Sequence, residues 1–266
     1  MERELPVVIT ATPNVCWLHP EVAYPVTPEE MAAEAKRCRD AGAAILHMHS
    51  EQWTEAIHAV REATDLIVQC GMSSLPIPER MEVFERGADM ISIITNHHDE
   101  AFVELDCHAL HPREELAEYA RLSRGYGVRL EYEIWHTGSI WNLNWLIERE
   151  LVDPPYFTSL FFGWPGGSWS PPTVEEYEYR RRHLPEGSVA TVSIMDERQI
   201  DVIAAAIVAG DHVRVGTEDL PFARSGELAP TYELVAEVAE LAAVLGRPVA
   251  TPEQARPMVG VAEVAA

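Results

Sequence analysis

Short apolar runs of strand length alternate along the chain with longer stretches that carry charge on one side, the pattern of buried strands separated by helices with one solvated face. Read in order, the strands are predicted over Pro6–Ala11, Ala43–Met48, Leu66–Cys70, Met90–Ile94, Val128–Ile134, Tyr156–Phe162, Ser188–Ser193 and His212–Val215. Helices are predicted over Pro28–Ala41, Gln52–Ala63, Pro78–Arg86, Pro112–Arg124, Ser139–Glu150, Val174–His183, Arg198–Ala209 and Thr231–Leu245. Local chemistry sets several of these ends. Thr27 stands as N-cap before Pro28, with Glu30 three residues on, and Gly42, Gly87 and Gly210 stop their helices. A longer connection separates the fourth strand from the helix at Pro112.

Eight strand-and-helix units in one chain of this length point to an α/β fold of the (β/α)8 TIM-barrel type. A doubly wound open sheet is the competing architecture, but the Gly-x-Gly-x-x-Gly turn it carries after its first strand is missing. No low-complexity linker divides the chain, so residues 1–266 are expected to form a single barrel domain, with the tail after Pro257 loosely held.

In such a barrel, reactive groups gather at the C-terminal ends of the strands. The second strand ends in Ile45-Leu46-His47-Met48-His49. Side chains alternate faces in a strand, so His47 and His49 point the same way, which suits a divalent metal. The competing reading is a pair of half-buried histidines satisfied by ordinary hydrogen bonds. After the eighth strand come Glu218 and Asp219, two strand positions away around the ring. Glu218 completes a two-histidine, one-carboxylate set, Asp219 stands beside it as a base, and Arg214 is available to an anionic substrate. Alternatively, both acidic residues are polar loop positions at the barrel mouth.

Composition narrows the class. The chain has 266 residues, 47% of them apolar, and a formal charge of −23, which argues against nucleic acid and anionic membrane surfaces as partners. Cys16, Cys38, Cys70 and Cys107 are far apart and signal neither a zinc knuckle nor a disulfide framework, in keeping with a cytoplasmic setting. No apolar run reaches membrane-span length, and Met1-Glu2-Arg3-Glu4 does not open a signal peptide. Lys36 is the sole lysine and sits in a charged helical stretch. An amine nucleophile for Schiff-base chemistry is therefore not expected in the pocket, and any carbonyl chemistry falls to a metal.

Several segments together resemble the β-keto acid cleavage enzyme family, the 3-keto-5-aminohexanoate cleavage enzymes and their relatives. They are Ile9-Thr10-Ala11, Val26-Thr27-Pro28-Glu29-Glu30, Ala41-Gly42-Ala43 leading into His47-Met48-His49, Phe162-Gly163-Trp164-Pro165-Gly166-Gly167, the run from Gly210 to Asp219, and Ala250-Thr251-Pro252-Glu253-Gln254-Ala255-Arg256. The resemblance spans nearly the whole chain. It implies a (β/α)8 barrel with Zn2+ on His47, His49 and Glu218. It also implies reaction of a β-keto acid with acetyl-CoA to give acetoacetate and a new acyl-CoA by a retro-Claisen step, with Asp219 deprotonating the substrate and Arg214 nearby. Glu133 matches an acidic position common in the family. The turn Gly163, Pro165, Gly166, Gly167 would let backbone approach the cofactor. A homodimer or homotetramer is implied as well.

The chain departs from that pattern in places. Ser50-Glu51-Gln52-Trp53 follows His49 where the family carries Arg-Asp and a longer loop, and Gly71-Met72-Ser73-Ser74 replaces Thr-Gly-Gly after strand three, leaving Ser73 as the nearest hydroxyl. The acidic residue after strand one is replaced near Trp17, and Glu197 stands where a phosphate-binding arginine is usual. The chain adds groups of its own: Asn96, His97, His98 and Asp99 after strand four and Trp135 and His136 after strand five, all expected at the functional rim, where each either binds substrate or serves as acid or base, or is a solvent-facing loop residue. Glu133 is expected to orient a ligand, bind substrate or pair with Arg214. Trp53, Trp164 and Trp169 either line the pocket or simply pack. Two other functions stay open beside the family's reaction: a metal-dependent lyase or hydrolase on a small keto or carboxylated substrate that has dispensed with CoA, and a non-catalytic barrel that binds a metabolite.

Overall fold

The computed structural model describes residues 5–14, 19–71, 73–95, 97–100, 107–164 and 170–262, with the backbone alone for 97–100 and 107–109. Its elements run β1 (Ile9–Ala11), α1 (Pro28–Ala41), β2 (Ile45–Met48), α2 (Trp53–Ala63), β3 (Ile67–Cys70), α3 (Ile77–Glu85), β4 (Met90–Ile94), β5 (His97–Glu100), β6 (Cys107–Leu110), α4 (Arg113–Tyr126) and β7 (Arg129–Ile134). They continue with α5 (Thr137–Ile147), β8 (Tyr156–Phe162), α6 (Val174–His183), β9 (Ser188–Ile194), α7 (Gln199–Ala209), β10 (His212–Val215), α8 (Thr231–Val244) and α9 (Pro252–Val259). Eight strands close in the order β1-β10-β9-β8-β7-β4-β3-β2, and every pair in the ring is parallel. This is the (β/α)8 barrel. Among the described residues no helix is long and apolar enough to cross a membrane.

Helix α1 begins as its sequence predicts. Glu30 N donates to Thr27 Oγ1 at 3.2 Å, Thr27 N donates to Glu30 Oε2 at 3.1 Å, and Gly42 closes the helix in the left-handed region. Lys36 is solvent-facing and pairs with Asp40 at 2.9 Å. Two features differ from the sequence reading. The connection after β4 contains an antiparallel pair, β5 with β6, and neither His-His-Asp-Glu nor Cys-His-Ala-Leu has the apolar alternation that would mark a strand. The tail beyond Pro257 is not loose as far as it is described. Helix α9 is capped by Thr251 and Gln254, and Val259 and Val261 are buried with Val8, Ile45, Ile67, Met90 and Phe157 as a plug across the N-terminal end of the barrel.

The strand period of two sorts the remaining barrel residues. Ile9, Leu46, Val68, Ile91, Leu130, Leu160, Val192 and Val213 face the helices and join the main apolar core. One step toward the C-terminal end from the apolar plug, the inward positions are Thr10, His47, Gln69, Ser92, Glu131, Ser159, Thr191 and Arg214, and all eight are buried. Barrel interiors are ordinarily filled by Val, Ile and Leu. Here the layer beneath the mouth is polar on every strand, and two of its members, His47 and Arg214, belong to the site itself.

His212 lies at the opposite end, buried, its Nδ1 accepting from Val8 N at 3.1 Å. Burial, with Arg247 close by, pushes its imidazole down to about 3. The unfolded chain takes up this proton near pH 6.5. The neutral histidine therefore contributes stability that is complete above that value and is lost as pH falls toward 3. His212→Gln, which retains an acceptor, should flatten the fall in Tm between pH 7 and 4. An unchanged slope would remove His212 from the acid sensitivity.

Candidate metal centre and active site

The second strand delivers its two histidines to one point. His47 Nε2 and His49 Nε2 lie 3.1 Å apart, Glu218 Oε2 is 3.4 Å from the first and Glu218 Oε1 3.3 Å from the second. Four ligands about 2.0–2.1 Å from a zinc ion stand roughly 3.3 Å from one another, so these separations match those of a site that could hold such an ion. The neighbours favour that use. His47 Nδ1 faces Gln69 Oε1 at 3.1 Å, with Ser92 Oγ at 3.5 Å. Donation to Gln69 leaves the Nε2 lone pair free to coordinate. Asn14 grips the backbone of His49 from both sides, accepting from its N at 3.0 Å and donating to its O at 2.6 Å. Glu218 Oε2 is buried and has no hydrogen-bond partner among the described residues, an expensive condition for a carboxylate oxygen unless a cation meets it.

Two glycines make this approach possible. A Cβ on Gly71, at the end of β3, would sit 2.5 Å from His49 Nε2 and 2.9 Å from His47 Nε2. One on Gly216 would sit 2.3 Å from Thr12 O, where the end of β1 closes on the turn after β10. That turn is tied down by Glu218 N donating to Thr12 O at 3.1 Å and Thr217 Oγ1 donating to Pro13 O at 2.9 Å. It sends Glu218 toward the histidines and Asp219 under Arg214.

Arg214 joins the two carboxylates. Its Nη2 is 2.7 Å from Glu218 Oε1 and 2.8 Å from Asp219 Oδ1, and its Nε donates to both Asp219 oxygens at 3.1 Å. Nη1 takes part in none of these bonds, and Arg214 lines the cavity above the centre. Burial works against the charge on Arg214 but Asp219 and Glu218 outweigh it, so its pKa lies above the ordinary value. Burial likewise opposes ionisation of Glu218, yet Arg214, His47 and His49 hold its carboxyl well below the usual range. Asp219 moves the other way. Burial, together with the Glu218 charge, raises it despite Arg214. Of the two carboxylates that share the guanidinium, Glu218 is held in its charged form more firmly than Asp219. Burial also lowers the His49 pKa, favouring the neutral ligand form.

The cavity over these groups is small, about 80 Å³. Ser73, Ser74 and Glu133 contribute polar groups, and Trp135, Phe161 and Trp164 form its apolar wall. Trp135 and Phe161 stack with centroids 4.3 Å apart, Trp164 meets both edge-on, and the Arg214 guanidinium lies 5.3 Å from the Phe161 centroid. Glu133 is not Arg214's partner. Its Oε2 accepts from Trp135 Nε1 at 2.9 Å, because Asp219 and Glu218 already occupy Arg214. His136 caps α5, its Nδ1 accepting from Gly138 N at 3.0 Å, and Gly163 N donates to Ser170 O at 2.7 Å beyond the end of β8. Trp53 packs in the core between barrel and helices rather than over the pocket. Asn96, Pro165, Gly166, Gly167, Trp17 and Trp169 lie outside the described residues, as do the side chains of His97, His98 and Asp99. Glu197 borders a hollow of about 540 Å³ between α7 and α8, outside the barrel wall and away from the converging ligands.

A profile of the family described as beta-keto acid cleavage enzyme matches residues 6–261. The chain belongs to the β-keto acid cleavage enzyme family. Curated relatives agree. It is 30% identical over 258 residues to the 3-keto-5-aminohexanoate cleavage enzyme of Fusobacterium nucleatum, covering 88% of this chain and 89% of that one. It is 28% identical over 266 residues to the 3-dehydrocarnitine:acetyl-CoA trimethylamine transferase of Rhizobium meliloti, covering 87% and 88%. Among solved structures, the apo form of ObcA superposes with a TM-score of 0.74 at 16% identity, covering 90% of this chain and 65% of that one, a likeness of fold. The chain is thus a divergent member of an enzyme family of carbon–carbon bond cleavage.

Sequence reasoning passed over Asn14, Gln69 and Ser92, the groups that hold the two histidines. The signal was available: Gln69 and Ser92 are polar residues in the middle of otherwise apolar strands, at the parity of His47.

Proposed function

We propose that this protein is a metal-dependent β-keto acid cleavage enzyme, built as one barrel domain, that condenses a β-keto acid with acetyl-CoA and yields acetoacetate and a new acyl-CoA. The observation that supports it most is the convergence of His47, His49 and Glu218 beside the Arg214–Asp219 pair in a chain of this family. These three residues would hold the ion, for which Glu218 Oε2 and the two Nε2 atoms are the donors at hand. A divalent ion held there supplies Lewis acidity, polarising a carbonyl oxygen and acidifying the adjacent carbon.

The chain's own residues supply the rest. Arg214 Nη1 receives the substrate carboxylate, while Nε and Nη2 keep Asp219 in register. Asp219 accepts the proton from the carbon between keto group and carboxylate, assisted by its raised pKa. The wall of Trp135, Phe161 and Trp164 keeps water from the resulting carbanion as it attacks the acetyl thioester and expels CoA thiolate. The thiolate then adds to the substrate's own keto carbon, the bond from that carbon to C2 breaks, and C2 takes back the proton from Asp219, which leaves acetoacetate and the new acyl-CoA. Glu133, held by Trp135, faces the distal end of the substrate. The acetyl-CoA requirement takes support from the Rhizobium meliloti relative, whose name specifies it.

The test combines metal content with turnover. The wild-type protein should carry about one zinc per chain, lost in His47→Ala, His49→Ala and Glu218→Gln. Acetoacetate should form from acetyl-CoA and a panel of β-keto acids. Metal with turnover independent of acetyl-CoA would support the lyase or hydrolase alternative, and metal without turnover of any keto acid the metabolite-binding one. A wild-type protein that takes up no metal would end the proposal.

A further inference from the structure

Three buried arginines donate to backbone carbonyls and form no ion pair among the described residues: Arg80, Arg180 and Arg247. Arg180, on α6, reaches Phe161 O at 2.6 Å and Ile134 O. Arg247 serves the N-terminal end, with Leu5 O at 2.9 Å and Gly210 O at 2.7 Å. Arg80, on α3, is the one that reaches the strands of the metal centre. Its Nη2 donates to Gly71 O at 3.0 Å and Ser92 O at 2.6 Å, and its Nη1 to Tyr119 OH at 3.1 Å.

The place of these two carbonyls matters. The β3–β4 register pairs Gln69 with Met90 and Cys70 with Ile91 and then stops. Gly71 and Ser92 are the next residues on each strand, where mutual pairing has ended and one guanidinium nitrogen bridges their carbonyls instead. On its other side Gly71 is held by β2, its N donating to Met48 O at 2.9 Å. The backbone so clamped is the one whose missing Cβ gives room to His49 and His47, and the strand below it carries Gln69, which orients His47. Ser92 itself lies 3.5 Å from His47 Nδ1.

We infer that Arg80 is a positioning residue of the metal centre: by bridging Gly71 O and Ser92 O it closes the β3–β4 seam and holds the backbone of Gly71, and with it Gln69, against the two imidazoles that meet the ion. The inference rests on the metal-dependent reading above. A planar fork with several donors suits this bridge, and a lysine ammonium in its place cannot reproduce the fork's fixed directions.

Arg80→Lys should weaken zinc binding, measured by chelator competition, by about 10–100-fold, the usual effect of removing an outer support of a metal ligand. Tyr119→Phe, a milder change that removes one Arg80 contact, should move affinity the same way by a few-fold. Arg247→Lys is the control. It should lower Tm while leaving zinc affinity unchanged, because its carbonyls lie at the far end of the barrel. Wild-type affinity in Arg80→Lys, or an equal loss in Arg247→Lys, would overturn the inference while leaving the metal centre standing. No zinc in the wild type would remove both.

Discussion

Gly71→Ala is expected to empty the metal centre while leaving the barrel folded. An alanine Cβ at this position would stand 2.5 Å from His49 Nε2 and 2.8 Å from His49 Cε1, closer than real Cβ atoms approach. The backbone cannot retreat easily, since Gly71 N is bound to Met48 O and Gly71 O to Arg80. Nor can His47 swing aside without giving up Gln69. The imidazole of His49 is the group that must turn, and its turning removes a ligand. Gly71 is not among the glycines held at positive φ, so alanine brings no backbone strain of its own. The loss in zinc affinity should exceed the roughly 10–100-fold typical of an outer support, with Tm close to wild type. Metal content by elemental analysis beside a thermal melt would decide it. Full zinc occupancy in Gly71→Ala would show that the coordinating atoms are not the two Nε2 nitrogens.

Most of the fold is legible in the sequence because its signals are local. Tyr156–Phe162 and Val174–His183 agree residue for residue between pattern and structure, an apolar run in one case and the Thr173 cap in the other. Helix α9 escaped notice although Thr251-Pro252-Glu253-Gln254 carries its own capping box, because Pro257 inside the helix reads as a terminator. Its backbone continues to Val259 since Ala255 and Val259 are anchored in the barrel plug and Arg256 pairs with Asp89 at 3.0 Å, a tertiary effect that no local rule contains. The site divides in the same way. His47, His49 and Glu218 follow from strand parity and from the barrel's habit of collecting groups at one end. Arg80 is not readable, because the two partners that tie it to β3 and β4 are carbonyls, which every residue has. Of the three roles open to Glu133 in the sequence, pairing with Arg214 is the one the structure does not show, since two nearer carboxylates satisfy that arginine and Glu133 accepts from an indole N–H.

The same crowding around Arg214 makes Asp219 the most informative carboxylate in the site. Asp219 lies beside the cavity rather than in its lining, 1% exposed, with Thr12 Oγ1 donating to its Oδ2 at 3.4 Å. A proton acceptor placed there is shielded from bulk solvent by its burial. Asp219→Asn removes the basic oxygen but preserves shape, and Glu218 still holds Arg214 at 2.7 Å, so zinc should remain bound. Turnover should fall by about 10²–10⁴-fold, the range for losing a positioned general base. Exchange of the C2 protons of acetoacetate into D2O isolates the step, because it requires proton abstraction and no thioester. Enzyme-catalysed exchange should vanish in Asp219→Asn and persist in Glu133→Gln, whose carboxylate also lines the cavity. The opposite pattern would transfer the proton to Glu133 and leave Asp219 the narrower task of orienting Arg214.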